Sequence, residues 1–191
     1  MPLAERMRPV QLSDFFGQEQ LLGDGKMLRE LLQSGAIPSL ILWGPPGTGK
    51  TSLARIIAQS LSAVFVFFSA VLAGVKDVRK LVTEAEERRK FDSSAKTIFF
   101  VDEIHRFSKS QQDAFLPHVE SGLFTLVGAT TENPSFQVIA PLLSRCRVLV
   151  LQPLSADDLN NIISRTLEDT VNGLGTYEIS VPEDVRQLLI E

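Results

Sequence analysis

The chain has 191 residues, of which 44% are hydrophobic and 22% charged, and its 19 basic and 23 acidic side chains give a net charge of −4. This acidic balance excludes a protein that coats nucleic acid with its whole surface, so any DNA contact must come from a local basic patch. The single cysteine excludes an internal disulfide and is typical of a reducing compartment. We expect no secretory signal, because the N-terminus lacks a basic stretch followed by an apolar one. We also expect no membrane span, because no apolar run reaches the ~20 residues that a membrane helix needs.

Five apolar runs predict the strands of a parallel sheet, and the first four are predicted to be fully buried. The runs cover residues 39–43, 64–68, 97–101, 124–128 and 147–151. Apolar residues at helical spacing predict helices between them, over 51–61, 76–90 and 108–119. We expect the third of these helices to end or kink at Pro117. The alternation of strand and helix predicts a doubly wound α/β fold.

The pattern changes after Pro153. Ser155 is predicted to cap a helix that has acidic residues in its first turn and an apolar face reaching Leu167. A polar linker at 172–177 follows, and Pro182 occupies the first position of another predicted helix. Because that helix is still apolar where the sequence stops, we expect the chain to be a fragment of a longer protein.

Residues 44–51 read GPPGTGKT and match the pattern G-x-x-x-x-G-K-[ST]. Glycines let such a loop turn tightly and direct backbone N–H groups at phosphate oxygens, and the helix that follows adds the positive end of its dipole. Lys50 can reach the β- and γ-phosphates, and Thr51 offers a hydroxyl to Mg²⁺. Since an apolar strand precedes the loop and an amphipathic helix follows it, we predict a nucleotide site rather than an ordinary turn. The predicted ligands in the loop are Gly44, Pro45, Pro46, Gly47, Thr48, Gly49, Lys50 and Thr51.

Two acidic residues, Asp102 and Glu103, follow the strand predicted at 97–101. Ligands of an open α/β sheet bind beyond the carboxyl ends of its strands, so we expect both carboxylates to face the phosphate loop. Asp102 is predicted to hold Mg²⁺ through its hydration shell, and Glu103 to orient or deprotonate the attacking water. The alternative is that the two acids only cap the next helix.

The acidic pair also bears on the class of nucleotide enzyme. A GTPase of this type would carry a guanine-reading Asn-Lys-x-Asp motif, which the sequence lacks. A small-molecule kinase has no need of a second acid to activate water. Hydrolysis of ATP is therefore favoured.

Polar residues also follow the fourth predicted strand and precede the fifth. Thr131 is placed to contact the γ-phosphate or the attacking water, with Thr130 as the other option. Ordinary turn chemistry is the alternative for this segment, because Asn133 precedes a proline. Arg145 ends the helix before the fifth strand, and by itself it would be interpreted as a cation that stabilises a helix C-terminus.

The remaining titratable residues carry weaker signals. His105 and His118 are the only histidines and, with one cysteine, cannot form a structural zinc site of the usual kind. The basic run at 88–90 and the pair Arg106 and Lys109 are interpreted as solvated helix faces. They are also the places where contacts with a DNA phosphate backbone are most expected.

Four motifs occur in a fixed order, GPPGTGKT at 44–51, FFVDEIHRF at 99–107, GATTENPSF at 128–136 and LLSRCR at 142–147. With them the sequence resembles the AAA+ ATPases of the clamp-loader clade, and more closely the RarA/MgsA family, which includes the Werner-helicase-interacting ATPase. The resemblance runs from about Leu3 to Leu154. It includes RMRPVQLSDFFGQEQLL at 6–22, SAVLAGVKDVR at 69–79 and HRFSKSQQDAFLPHVESG at 105–122.

The resemblance implies a P-loop NTPase of the AAA+ type. Residues 1–153 are expected to form a five-stranded parallel sheet flanked by helices, and 154–191 the first part of a truncated helical lid. The implied cofactors are ATP and Mg²⁺, with Thr131 as the γ-phosphate sensor and Arg145 as an arginine finger for a neighbouring subunit. The segment implied to pack around adenine contains Arg8, Pro9, Phe16, Gly17 and Gln18.

For the whole protein, the resemblance implies maintenance of replication forks. The expected partners are DNA at forks, gaps or ends, single-strand-binding protein or replisome components, and further copies in a homotetramer assembled by a C-terminal domain. The expected location is the bacterial cytoplasm and nucleoid or the eukaryotic nucleus. Neither the second sensor arginine of the lid nor the assembly domain is expected within these residues. The alternative is a nucleotide-gated oligomerisation or scaffold module whose turnover is incidental.

Overall fold

The structure is a computed structural model that describes residues 1–69, 75–177 and 179–190. Its strands are β1 Leu40–Trp43, β2 Val64–Ser69, β3 Thr97–Asp102, β4 Thr125–Thr130 and β5 Arg147–Val150. Its α-helices are α1 Leu3–Arg6, α2 Glu19–Leu22, α3 Met27–Ser34, α4 Lys50–Ser60, α5 Val75–Phe91, α6 Lys109–Asp113, α7 Leu116–Glu120, α8 Pro134–Gln137, α9 Ala140–Leu143, α10 Ala156–Glu168 and α11 Glu183–Ile190. Short 3₁₀ helices cover Leu12–Asp14, Ile104–Arg106 and Gly175–Tyr177.

The strands form one five-stranded parallel sheet in the order β2-β3-β4-β1-β5. β1 lies between β4 and β5, so that Leu40 pairs with Val127 on one side and with Arg147 on the other. β4 in turn separates β1 from β3. The phosphate loop, the Thr131 segment and the two acidic residues therefore follow three adjacent strands. The predicted five-stranded parallel α/β fold is confirmed.

Apolar layers cover both faces of this sheet. Leu40 and Leu42 of β1 belong to one layer and Ile41 to the other, because successive side chains of a strand point to opposite faces. Helices α3 and α4 complete the first layer, while α5 and α9 contribute to the second. These three β1 side chains are fully buried, and the fourth residue of β1, Trp43, is partly buried. This burial fixes the strand ends from which the functional loops emerge.

The predicted full burial of the second strand is wrong. β2 lies at the edge of the sheet, and its Val64 and Phe67 side chains are 43% and 48% exposed. A continuous apolar run does not report whether a strand has a neighbour on each side. β5 forms the opposite edge, where Val150 is 49% exposed.

The helix predicted at 108–119 forms as two short helices, α6 and α7. The break comes at Ala114 and Phe115, before Pro117, and Pro117 lies in the first turn of α7. A proline in a first turn removes no intrahelical hydrogen bond, so it starts the second helix instead of ending the first. In the SAVLAGVKDVR motif, residues 70–74 lie outside the described residues.

Two helices follow the sheet. Ser155 caps α10 through a capping box, as predicted, and the helix predicted to start at Pro182 begins one residue later at Glu183. Arg165 of α10 donates a hydrogen bond of 3.0 Å to the Asp14 carbonyl and forms an ion pair of 3.3 Å with its carboxylate. Helix α10 is thus tied to the N-terminal segment. No helix in the described part of the chain is long and apolar enough to cross a membrane.

Candidate functional site

The phosphate loop turns through two glycines in the left-handed region. Gly47 has φ of +78° and Gly49 has φ of +89°, and Gly49 is the N-cap of α4. A Cβ at Gly49 would lie 2.8 and 2.9 Å from ring atoms of Phe15, so this position requires glycine for both its conformation and its contact. The Thr48 hydroxyl donates to the Pro45 carbonyl at 3.0 Å and closes the turn.

Lys50 begins α4 and folds back over the loop. Its Nζ donates to the carbonyl oxygens of Gly44 at 2.7 Å and of Pro45 at 2.8 Å. Burial lowers the pKa of Lys50, an effect that the carboxylates of Glu103 and Asp102 oppose. The ammonium group therefore lies in a partly desolvated place between carbonyl dipoles and carboxylates, where phosphate oxygens are strong competing ligands.

The two acidic residues lie where β3 ends. Burial and the charge of Glu103 raise the pKa of Asp102, against the opposing effects of the Glu103 backbone N–H and of Lys50. Glu103 is left-handed, with φ of 52° and ψ of 50°, which is uncommon for a residue with a side chain. Its Oε2 atom is buried without a hydrogen-bond partner. Two crowded carboxylates with unsatisfied acceptor capacity are a suitable environment for a cation and a water molecule.

A cavity of about 350 Å³ brings most of the predicted site together. It is lined by Arg8, Pro46, Gly47, Thr48, Gly49, Lys50, Thr51, Ser52, Asp102, Glu103 and Thr131. Gly44 and Pro45 stay outside the lining and contribute their carbonyls to Lys50 instead. Of the two threonines at the end of β4, Thr131 lines the cavity, while Thr130 is fully buried.

The residues present fit Mg²⁺ bound together with a nucleotide. Thr51 and Asp102 supply a hydroxyl and a carboxylate in the same cavity. Among the described residues, His, Cys, Asp and Glu form no group of three or more that could hold a metal ion alone. Mg²⁺ keeps several waters and is commonly held by one or two protein ligands together with substrate phosphates.

A second cavity, of about 480 Å³, adjoins the first and shares part of its lining with it. Of the residues expected around adenine, it is lined by Arg8, Pro9 and Phe16. Sequence reasoning missed the other apolar walls, which are Leu3, Ala4, Met7, Phe15, Leu154 and Ile162. Ile162 belongs to the apolar face predicted for α10, and that face was the available signal. The two cavities together form a groove with one apolar end and one polar end.

Gly17 and Gln18 do not line either cavity. Gly17 has φ of +78° and packs against Leu154 and Asp158. The Gln18 amide is 5% exposed, and it exchanges two hydrogen bonds with the Gln152 backbone, donating at 2.7 Å and accepting at 2.9 Å. These residues hold the N-terminal segment against the chain that leaves β5, and their contact with adenine stays a prediction.

Residues 40–154 match the family described as the ATPase family associated with various cellular activities (AAA). The chain belongs to the AAA family of ATPases. The match includes the phosphate loop, both acidic residues, Thr131 and Arg145.

Named relatives of this AAA domain agree with the sequence-based resemblance. Replication-associated recombination protein A of Haemophilus influenzae is 50% identical over 190 residues, which are 100% of the chain and 42% of that protein. The ATPase WRNIP1 of Dictyostelium discoideum is 50% identical over 169 residues, 88% of the chain and 19% of that protein. The predicted similarity to the RarA/MgsA family is confirmed. The chain spans less than half the length of these relatives.

A solved structure with a similar fold is the Holliday junction branch migration motor RuvB of Thermotoga maritima. The superposition has a TM-score of 0.70 at 32% identity, over 85% of the chain and 54% of that RuvB chain.

Arg145 lies outside both cavities of its own AAA domain. Its guanidinium donates to the Pro141 carbonyl at 2.7 Å and to the Ser144 hydroxyl at 3.1 Å, and it forms an ion pair with Glu120. The contact with Pro141, in the last turn of α9, matches the helix-stabilising alternative. The side chain remains 39% exposed.

Other residues that the sequence singled out lie away from the groove. Arg88 pairs with Glu84 at 3.3 Å, and Arg89 donates to the Gly122 carbonyl at 2.9 Å, so this basic run is partly engaged within the domain. Burial raises the pKa of Cys146 to about 12, which disfavours the thiolate form.

Proposed function

We propose that the chain is an ATP-hydrolysing AAA domain that binds MgATP in the groove between the phosphate loop and the ends of β3 and β4. The observation that carries this proposal is the cavity in which Lys50, Thr51, Asp102, Glu103 and Thr131 meet. A site for nucleotide binding alone needs the first three of these residues. A second carboxylate beside a polar strand end supports hydrolysis as well.

Each residue has a distinct task in this proposal. Lys50 exchanges its carbonyl contacts for β- and γ-phosphate oxygens, and Thr51 and Asp102 hold Mg²⁺ directly or through water. Bound Mg²⁺ supplies charge that offsets the negative charge on the phosphates. Glu103 orients and deprotonates the attacking water, and Thr131 contacts the γ-phosphate or that water.

The apolar cavity is proposed to take the adenine and ribose. Its position next to the phosphate loop supports this assignment, because Arg8, Gly47, Thr48, Gly49 and Ser52 line both cavities. Leu154 and Ile162 bring the region after Pro153 into the binding site. We therefore propose residues 1–153 as the nucleotide-binding domain and 154–191 as the first part of a helical lid.

At the level of the whole protein, we propose a role in replication, recombination and repair, with DNA-stimulated ATPase activity. The names of the relatives support it, since one is a replication-associated recombination protein and the similar solved structure is a branch migration motor. The proposed partners are DNA at forks, gaps or ends, single-strand-binding protein or replisome components, and further copies in a homotetramer.

Arg145 is proposed to act in the active site of a neighbouring subunit. Its exposure and its distance from the cavities of its own chain support this role. Mixed oligomers of the full-length protein test it. Arg145→Ala subunits keep a complete nucleotide site, and Lys50→Ala subunits keep the finger, so mixing the two inactive variants should restore part of the ATPase activity. Absence of any recovery, in oligomers shown to be mixed, would refute the shared site.

Glu103→Gln separates hydrolysis from a nucleotide-gated scaffold. The variant should bind MgATP with unchanged affinity in calorimetry while kcat falls by about 10²-fold or more, because the water loses its base. Lys50→Ala, in contrast, should abolish binding. A Glu103→Gln protein with wild-type turnover would show that this carboxylate does not act in hydrolysis.

A further inference from the structure

His105 lies between the ends of two neighbouring strands. The left-handed conformation of Glu103 turns the chain into the 3₁₀ helix Ile104–Arg106, and this turn brings the His105 ring back towards the end of β4. The ring Nδ1 lies 3.0 Å from the Thr130 hydroxyl and 3.2 Å from Oε2 of Glu103. The His105 side chain is 16% exposed. None of the tasks assigned above uses this residue.

The surrounding hydrogen bonds determine which ring nitrogen carries the proton. The Thr130 hydroxyl donates its single proton to the Glu132 carbonyl at 3.1 Å and accepts from the Glu132 N–H at 3.0 Å. It therefore presents a lone pair to the imidazole. Glu103 also presents an acceptor, because its carboxylate oxygen Oε2 faces the same ring nitrogen. A lone pair on Nδ1 would face two acceptors, so Nδ1 carries the hydrogen and His105 is the donor.

This N–H is the polar neighbour of an otherwise unsatisfied carboxylate oxygen. Oε2 of Glu103 is buried and makes no hydrogen bond of good geometry. The His105 Nδ1–H points at the Thr130 hydroxyl. Oε2 of Glu103 lies 3.2 Å from the same nitrogen but to the side of the N–H direction, so the two groups attract each other without a well-aligned hydrogen bond. Removing the imidazole takes away the N–H that lies beside this carboxylate oxygen.

We propose that His105 is a positioning residue for ATP hydrolysis, whose Nδ1–H, oriented by Thr130, holds the Glu103 carboxylate against the phosphate cavity. The inference rests on the proposed function. Thr130 is adjacent to Thr131, so the same contacts link the strand end that meets the γ-phosphate to the carboxylate that activates water. A residue that acts in this way changes kcat and leaves nucleotide binding intact.

The test compares two substitutions at this position in the full-length protein. His105→Phe keeps a planar ring and removes the donor, and it should lower kcat by about tenfold or more, since an ångström of misplacement can cost on the order of 10²-fold. The KM for MgATP and its calorimetric Kd should stay within about twofold, because the phosphate ligands are untouched. His105→Asn places an amide N–H near the position of Nδ1 and should recover most of the lost kcat.

Two further variants separate positioning from general damage. His118→Phe removes the other histidine, which lies on α7. The His118 ring packs against Phe124 with ring centroids 6.0 Å apart, and the substitution should leave kcat unchanged. Thr130→Val should lower kcat in the wild-type background and have no further effect on His105→Phe, because it acts through the imidazole.

Several results would overturn the inference. Wild-type turnover in His105→Phe would do so, as would a slow His105→Asn protein with the melting temperature of the wild type. A loss of MgATP affinity that equals the loss of kcat would assign His105 a structural role. Lack of ATPase activity in the wild-type protein would refute the proposed function and this inference with it, whereas the other results refute the inference alone.

Discussion

The buried amide of Gln18 connects parts of the chain that are far apart in sequence, and its removal has a calculable effect. Its side chain forms two hydrogen bonds with the Gln152 backbone, at 2.7 and 2.9 Å, and a longer one of 3.5 Å with the Thr48 carbonyl in the phosphate loop. Gln18→Leu keeps the volume of the side chain and removes these three bonds. It also removes a bond of 3.0 Å that the exposed Gln20 amide donates to the Gln18 oxygen and that Gln20 can replace with one to water. Both residue types are unbranched at Cβ, so the left-handed φ of 63° costs them similar amounts.

The expected loss of stability follows from the two bonds with the Gln152 backbone. A neutral hydrogen bond contributes about 1 kcal/mol net, so the pair contributes roughly 2 kcal/mol. The full desolvation penalty of two orphaned groups does not apply, because Gln152 is exposed and water can reach its backbone. For a domain of this size, the melting temperature should fall by about 4–8 °C.

Urea unfolding followed by circular dichroism measures this loss. Gln59→Leu is the matched control, because Gln59 is exposed on α4, and its effect should stay within about 0.5 kcal/mol. MgATP affinity should also fall in Gln18→Leu, since the contact with Thr48 supports the phosphate loop. A Gln18→Leu protein as stable as the Gln59→Leu control would refute the argument.

Three other substitutions have defined outcomes. Gly49→Ala should weaken MgATP binding in calorimetry by at least about tenfold, because backbone strain of ~1–3 kcal/mol at positive φ adds to a close contact with the Phe15 ring. The control is Gly35→Ala, which also has a positive φ but open space around its Cβ, and it should bind MgATP normally. Asp102→Asn should raise the urea midpoint of the nucleotide-free protein at pH 7. Burial raises the pKa of the Asp102 carboxyl, so the folded state loses stability as pH rises and this carboxyl becomes charged. The asparagine side chain stays neutral and avoids this loss. The same variant should lose Mg²⁺-dependent ATP binding, and an unchanged midpoint would contradict the assigned pKa direction. Arg165→Met should accelerate hydrogen exchange in α10, because the contacts with Asp14 are lost, and unchanged exchange would show that these contacts do not hold the helix.

The polar end of the groove was predictable because its residues follow local rules. A glycine-rich loop between a strand and a helix, and acids after a buried strand, are read within short windows of sequence. Thr131 follows the same rule, and its place in the cavity lining agrees with the preference for it over Thr130.

The apolar end depends on contacts between distant segments and was predicted only in part. Gln18 and Gln152 are 134 residues apart, and no local pattern reports their pairing. The position of His105 depends on the backbone conformation of Glu103, which the sequence does not specify. The exposure of β2 depends on the strand order, which periodicity alone cannot give.

The strand order also has a consequence for synthesis of the chain. The strand that carries the phosphate loop, β1, has β4 and β5 as its neighbours, and the ribosome makes both long after it. A nascent chain therefore exposes the complete loop sequence while its strand is still unpaired and open to wrong partners. ATP cannot assist folding at this stage, because its binding site forms only when β5 has left the exit tunnel. We therefore expect the apolar β1 segment to depend on chaperones until β4 and β5 are made.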